Sequence, residues 1–356
     1  MAECRLKTLQ LFVSSIWTEK TMSDPENLSF LVIGLGSIGK RHVRNLHALG
    51  IKDITVVRRE PIVPEEPDLP AFSIQTDLNA ALQRKPDGVI IASPTSLHLE
   101  HSIAAARAGC HILVEKPISH SLDGIETLRK LVEQNQLFFQ SAFQFRFHPV
   151  FRQIKAILDQ GVIGAIISAH VHWGEYLPAW HPWEDYRHGY SARQDLGGGV
   201  VLTLCHPFDY LRWLIGEINS LSAIVAKLSN LEIDVEDTAM ITFRFESGAV
   251  GSVYLDYVER PSQHRLEIIG QSGKITWDNS TGIANVFSEE HRKQQLLEPP
   301  DRFERNVMFL DELEHFIDCL KFHREPNCSL QDGVRALEIA DAIKLSSLQR
   351  KEVILS

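Results

Sequence analysis

Apolar positions follow two regimes along the chain, and the change between them falls near Pro149. In the first regime short apolar runs alternate with helical periodicity. Residues 29 to 33 read as a buried strand that runs straight into Gly34-x-Gly36-x-x-Gly39, after which Val43, Leu46 and Leu49 recur at helical spacing until Gly50. Strands are predicted at 54–57, 88–92, 111–114 and 137–142. Helices are predicted at 96–108, where Leu99, Ile103 and Ala106 share a face, and at 122–134. Strands and helices alternating at this rhythm imply right-handed crossovers and a doubly wound parallel sheet. Between the second strand and the rest stand Pro61, Pro64, Pro67 and Pro70, which cannot donate backbone hydrogen bonds and predict a stiff surface loop.

Past Pro149 the pattern predicts a helix at 150–160, a strand at 165–173, a helix at 206–215, and then strands with no helices between them at 235–245, 249–258, 264–270 and 273–278. Turns such as Glu246-Ser247-Gly248 join them, so this sheet is expected to be mostly antiparallel. Helices are expected at 306–323 and 332–348. The fold class is therefore an α/β Rossmann domain over 29–145, followed over 146–356 by an α+β domain with a large, mostly antiparallel open sheet. The C-terminal helices are expected to pack back on the Rossmann domain. Residues 1–28 are expected to be a leader outside the folded part, with a transit segment as the alternative.

Composition narrows the class further. The chain has 356 residues, 44% hydrophobic and 23% charged, a length that suits two domains. No stretch approaches the roughly 20 apolar residues of a membrane span, so no membrane partner is expected. A formal net charge of -10 argues against a nucleic-acid surface, which needs clustered Lys and Arg. The five cysteines are widely spaced without any C-x-x-C, so neither a disulfide framework nor a zinc site is suggested and a cytoplasmic location is expected.

The three glycines have a mechanical reading. Gly34 permits a tight turn off the strand, Gly36 lets backbone approach a pyrophosphate, and Gly39 lets the helix pack on the strand. The helix N-terminus at Ser37 and Ile38 then offers free N–H groups and the positive end of its dipole to a diphosphate. A dinucleotide is implied. At the end of the second strand, where an acidic residue holds the ribose of NAD, stand Arg58 and Arg59, whose guanidinium forks suit a 2′-phosphate and favour NADP over NAD. The alternative is that Glu60, one or two positions late, reaches the ribose.

Further motifs carry a family likeness. Gly34-x-Gly36-x-x-Gly39, Ser93-Pro94-Thr95-x-x-His98, Glu115-Lys116-Pro117, Gly197-Gly198-Gly199 before His206-x-x-Asp209, and Val235-Glu236-Asp237-Thr238-Ala239 resemble the ordered motifs of the glucose-fructose oxidoreductase / inositol dehydrogenase (Gfo/Idh/MocA) family. The likeness covers residues 29–350. It implies NAD or NADP on the Rossmann domain, with Ser93, Thr95, His98 and Glu115 among the cofactor residues, and homo-oligomerisation through an open C-terminal sheet. In much of the family an Asp precedes the His by a few residues, whereas this chain has Thr203, which cannot take a proton at neutral pH.

Lys116 follows a parallel strand into the crevice where open α/β sheets bind ligands, so its ammonium could bond a substrate oxygen and, if its pKa is lowered by burial and an oxidised nicotinamide, exchange a proton with it. The plainer reading is a surface lysine with Glu115 as its solvated partner. His206 opens a helix after the glycines and is the expected acid/base partner, or else a structural histidine. Asp209, one turn on, could orient His206 or touch substrate. Residues 173–193 hold Trp173, Tyr176, Trp180, Trp183, Tyr186 and Tyr190 among Asp185, Arg187 and other polar groups, a composition that suits a sugar, or equally a domain-interface cluster. Candidate substrate residues are thus Arg146, Trp180, Asp185, Arg187, Tyr190 and Asp209, with Gln144 and His148 lining the cleft or merely crossing between domains. His170 and His172 share a strand face, but two ligands alone do not make a metal site, and no metal is expected. The function these residues imply is hydride transfer between a nicotinamide and a secondary alcohol or ketone of a sugar, polyol or nucleotide sugar. A cofactor-binding sensor without turnover is the alternative.

Overall fold

The computed structural model describes residues 27–59, 69–289 and 293–355. The leader up to residue 26, Cys4, Glu60, Pro61, Pro64 and Pro67 lie outside the described residues. The first domain is a six-stranded sheet in the order β3-β2-β1-β4-β5-β6, built from β1 (Ser29–Ile33), β2 (Asp53–Val57), β3 (Ser73–Gln75), β4 (Gly88–Ile91), β5 (His111–Glu115) and β6 (Phe139–Ala142). Every pairing in it is parallel. Helices α1 (Ser37–Ala48), α2 (Leu78–Gln83), α3 (His98–Arg107) and α4 (Ile125–Gln134) connect the strands. β3 and α2 escape the hydrophobic pattern, because a three-residue strand and a six-residue helix are too short to show a period.

A parallel sheet must be covered on both faces, and β1 shows how the pattern achieves it. Phe30 and Val32 enter a core with Val43 and Leu46 of α1, whereas Leu31 and Ile33 face the opposite core. The first core is completed from the far end of the chain by Leu313, Phe316 and Ile317 of α8 (Arg305–Phe322). Leu28, placed in the leader by the sequence pattern, is buried in this same core.

The second domain adds α5 (Pro149–Asp159), α6 (Val200–Thr203), α7 (His206–Ile215), α9 (Leu330–Gln349) and a nine-stranded sheet, ordered β14-β13-β12-β11-β7-β10-β9-β8-β15. Its strands are β7 (Ile166–Gly174), β8 (Ile218–Ala226), β9 (Thr238–Phe245), β10 (Val250–Asp256), β11 (Gln263–Gly270), β12 (Gly273–Asp278), β13 (Ala284–Ser288), β14 (Lys293–Leu297) and β15 (Val353–Ile354). All neighbours are antiparallel except β7 and β10. Along β9 Ala239, Ile241, Phe243 and Phe245 are buried, while Met240, Thr242 and Arg244 between them are exposed. This sheet is therefore covered on one face and open on the other. Among the described residues no helix is long and apolar enough to cross a membrane.

Candidate active site

The turn after β1 takes the form its glycines require. Gly34 has φ +99°, and a Cβ there would stand 2.6 Å from the Ala92 carbonyl oxygen. A Cβ on Gly39 would overlap the Gly34 carbonyl oxygen, so helix α1 can sit this close only without a side chain at that position. At Gly36 the added atom would meet nothing within 4 Å, and it projects from the N-cap of α1, beside exposed Ser37 and half-buried Ile38. No side chain caps this helix, and its first turn carries no acid, so its N–H groups are available to an anion. These features fit a dinucleotide pyrophosphate at the β1/β4 switch point of the sheet. Arg58 and Arg59 follow β2, the first half-buried and the second exposed.

Beyond that turn, residues expected to line the cofactor site also make contacts within the protein. His98 is buried and spans two loops, with Nδ1 2.7 Å from the Pro117 carbonyl oxygen and Nε2 2.8 Å from that of Ser93. Burial lowers its pKa against the pull of those carbonyls, so the neutral ring donates to one of them. Ser93 Oγ lies 3.0 Å from His101 Nδ1, and Thr95 is buried. Glu115 turns inward and pairs with His42 Nε2 at 2.8 Å inside the protein. Burial works to raise the Glu115 carboxyl, but His42 and Lys116 outweigh it and hold it below the usual carboxylate range. His42 lies on the inner face of α1 with Leu46, where a polar residue among apolar ones was the available signal.

Lys116 emerges next to this carboxylate and crosses to the second domain, where Nζ donates to the Thr203 carbonyl oxygen at 2.6 Å. Thr203, where the resemblance led to the expectation of an acid, thus offers Lys116 a backbone acceptor. Burial would lower the Lys116 pKa, but Tyr190, Cys205 and Glu115 outweigh it, so the group stands above the ordinary lysine range and is an ammonium at neutral pH. The expected lowering by burial is reversed by these neighbours.

His206, at the start of α7, is buried among Phe143, Phe145 and Trp173, with ring centroids 5.2 to 5.7 Å away. Its Nε2 lies 3.3 Å from the Gln144 amide nitrogen, and its Nδ1 has no partner among the described residues. Burial first, then the charge of Lys116, pushes its pKa well down, so it is a neutral imidazole. Close by, the Tyr257 ring packs edge-on to Trp180 at 5.5 Å, and its phenol adjoins Thr203 and the Ser191 carbonyl. Among the described residues Trp180 Nε1 and His206 Nδ1 are buried and unpartnered. Such orphans, on a wall that also carries Lys116, are groups a polar ligand would satisfy.

Other suggested substrate groups are engaged with partners within the protein. Asp209 is fully buried and accepts a forked pair from Arg146, with Nε–Oδ2 at 3.0 Å and an Nη2–Oδ1 contact at 2.6 Å. Arg146 also donates to the Asn327 carbonyl at 2.5 Å and to Asp332 at 2.9 Å, so both are committed to holding α7 and α9 together. Asp185 and Arg187 close on one another at the surface, and Arg187 reaches Glu232 at 2.6 Å. Trp173 is buried, stacks on His264 at 4.0 Å and donates to Glu175, which makes it core and not a platform for substrate. Tyr190 remains half-buried, close enough to Lys116 to favour its charge. Tyr257 and His264 carry no motif that would have singled them out.

With this geometry in place, comparison with known proteins is decisive. A model described as "Oxidoreductase family, NAD-binding Rossmann fold" matches residues 28–143, and one described as "GFO/IDH/MocA C-terminal domain" matches residues 151–276. The chain belongs to the Gfo/Idh/MocA family. As a member of it, the protein is an NAD(P)-dependent oxidoreductase. Myo-inositol 2-dehydrogenase of Thermotoga maritima is 29% identical over 344 residues, which cover 90% of this chain and 97% of that protein. The scyllo-inositol 2-dehydrogenase (NAD(+)) of Bacillus subtilis is 28% identical over 339 residues, covering 87% and 91%. A solved structure of levoglucosan dehydrogenase in complex with NADH and levoglucosan superposes with a TM-score of 0.83 at 22% identity, covering 92% of this chain and 99% of that one, a likeness of fold.

Proposed function

We propose that the protein moves a hydride between a nicotinamide dinucleotide, which supplies that redox capacity when bound, and the secondary alcohol or ketone carbon of a sugar, polyol or nucleotide sugar. The observation that carries this reading is the Lys116 ammonium, aimed from the β5 end at the Thr203 carbonyl of the second domain and flanked by the unpartnered groups of His206 and Trp180. A substrate oxygen that displaces the Thr203 carbonyl would take over the Lys116 hydrogen bond. Reduction then proceeds with proton donation from Nζ; oxidation requires that the same nitrogen first lose its proton. His206 is held neutral and serves to orient the substrate hydroxyl through Nδ1. The inositol and levoglucosan dehydrogenases named above support the substrate class. Arg58 and Arg59 at the end of β2 support a preference for NADP. Exposed Ile224, Met240, Val250 and Phe287 on the open sheet support assembly of copies through that face.

The experiment is a panel assay across inositols, sugars and nucleotide sugars with NAD and NADP, run on wild type and Lys116→Ala. Turnover on one class, lower Kd for NADPH than NADH, and a loss of about 100 to 10,000-fold in the variant with cofactor affinity retained are expected. Wild-type turnover in Lys116→Ala would remove the assigned role. Because Lys116 must be deprotonated for oxidation and protonated for reduction, the oxidation rate should rise and the reduction rate fall toward alkaline pH. A flat profile in both directions contradicts it.

A further inference from the structure

The two histidines of β7 part company in the structure. His170 turns to Ser252 and Ser168, with ring-to-hydroxyl distances of 2.9 and 3.2 Å. His172 instead meets Glu259, Nε2 to Oε2 at 2.6 Å. Asp256, the last residue of β10, lies opposite Gly174 in the parallel β7/β10 pair and joins them. One donor atom from each of His172, Asp256 and Glu259 falls within 4.8 Å of the other two.

Two independent observations indicate that these groups converge on a ligand. Asp256 is only 2% exposed, and its Oδ1 is satisfied by the N–H groups of Val258 and Glu259 at 2.7 Å each, whereas no hydrogen bond among the described residues uses Oδ2. Oδ2 is not fully enclosed, so it stays open to a ligand arriving from solvent. The second observation is Gly174. A Cβ at that position would overlap Glu259 Oε2 and stand 2.5 Å from Asp256 Oδ2, so both oxygens lie side by side against bare Gly174 backbone. The nearby cations are engaged elsewhere. Arg265, opposite His172 on β11, is bound to Asp278 at 2.8 Å, and Arg260 lies over the Tyr176 ring at 4.1 Å.

We propose that His172, Asp256 and Glu259 form a divalent-metal site that takes a first-row ion such as Zn²⁺, with water as the fourth ligand. One imidazole and two carboxylates are a zinc-type donor set, whereas Ca²⁺ and Mg²⁺ prefer six or more oxygens. Zinc bonds of about 2.0 to 2.2 Å place tetrahedral donors about 3.3 Å apart, within reach of this cluster by side-chain adjustment. Two histidines alone gave no expectation of a metal; Asp256 and Glu259, the further donors of this proposal, follow 84 and 87 residues later on a different strand and its exit turn. The ion would tie the ends of β7 and β10 together. Glu175 N already donates to the Asp256 carbonyl at 3.1 Å, and Leu177 N to that of Tyr257 at 3.0 Å, so the site buttresses the turn that carries Tyr257. It takes no part in hydride transfer, and it stands or falls separately from the proposed function.

The test uses the full-length protein, stripped with chelator, freed of it and titrated calorimetrically with zinc chloride beside Glu259→Gln and Asp256→Asn. Wild type should bind one zinc per chain, each variant should bind at least about tenfold more weakly, and zinc should raise the melting temperature of wild type but not of Glu259→Gln. Glu259 is only half-buried, so its variant decides the matter if Asp256→Asn does not fold. Absence of saturable binding to wild type below about 1 mM zinc overturns the proposal. So does unchanged affinity and stoichiometry in Glu259→Gln, which would place the ion on other histidines.

Discussion

Gly36 and Gly39 sit three residues apart in one motif, yet the structure asks opposite things of them. A methyl at Gly36 meets open space, whereas one at Gly39 strikes the Gly34 carbonyl. Gly36→Ala should therefore melt as wild type while losing cofactor affinity by roughly tenfold or more, because the methyl would occupy the approach to the pyrophosphate. Gly39→Ala should lower the melting temperature itself, by displacing α1. Calorimetry and cofactor titration on the pair check this, and equal melting losses in both would show that Gly36 is structural. Lys116 illustrates how neighbours outweigh burial. Its charge is retained because Tyr190, Cys205 and Glu115 face it, and a carbonyl, not a carboxylate, accepts its hydrogen bond.

At the level of elements, α7 and α9 are fastened to the turn after β6 by a buried ion network, two of whose members motif reading assigned to the substrate. Arg146, in the short turn after β6, binds Asp209 of α7 and Asp332 of α9. Asp332 also completes a capping box with Ser329 at the start of α9, so one carboxylate fixes both the helix end and its docking. Removing one partner leaves the other buried and uncompensated, and Asp209→Ala is expected to cost about 3 to 5 kcal/mol in urea unfolding. Any protein that remains folded should keep its KM for substrate. A large KM change without a stability loss would return Asp209 to the binding site. The network was not legible in the sequence, since its members stand 63 and 186 residues apart and periodicity assigns a residue to a face without naming its partner.

For the whole molecule, buried neutral histidines set the acid limit. Burial pushes His148 down to about 4 from an ordinary 6.5, and its Nδ1 accepts the Val150 N–H at 3.2 Å, which requires an unprotonated nitrogen. The unfolded chain binds this proton between those values and the folded chain does not, so stability is full above about pH 6.5 and falls as pH drops toward 4. His148 alone accounts for a loss on the order of 3 kcal/mol, and His206 and His264 act in the same direction. His148→Asn, which retains a helix cap, should flatten the dependence of the urea midpoint on pH by about one proton. An unchanged slope would mean that His148 does not titrate on unfolding. The open sheet gives a second prediction at this scale. Light scattering should find more than one copy per particle, and Ile224→Glu with Met240→Glu should reduce it toward the monomer. A wild-type monomer at all concentrations would remove this face as an interface.

By itself the sequence determined what depends on near neighbours. The unbroken apolar run of β1, the glycine turn and the helix after it are set by local sterics and by burial on both faces, so the Rossmann half and Lys116 at its strand end were readable from spacing alone. Tertiary structure decided everything that needed a partner brought from a distance. It turned Glu115 toward His42, 73 residues away, gave Lys116 a backbone carbonyl in place of an acid, and withdrew Arg146 and Asp209 from the cleft. It also set His172 against two carboxylates. Polar groups have no period. Their roles follow from which donors and acceptors meet after the apolar faces have packed, and the chain order does not contain that meeting.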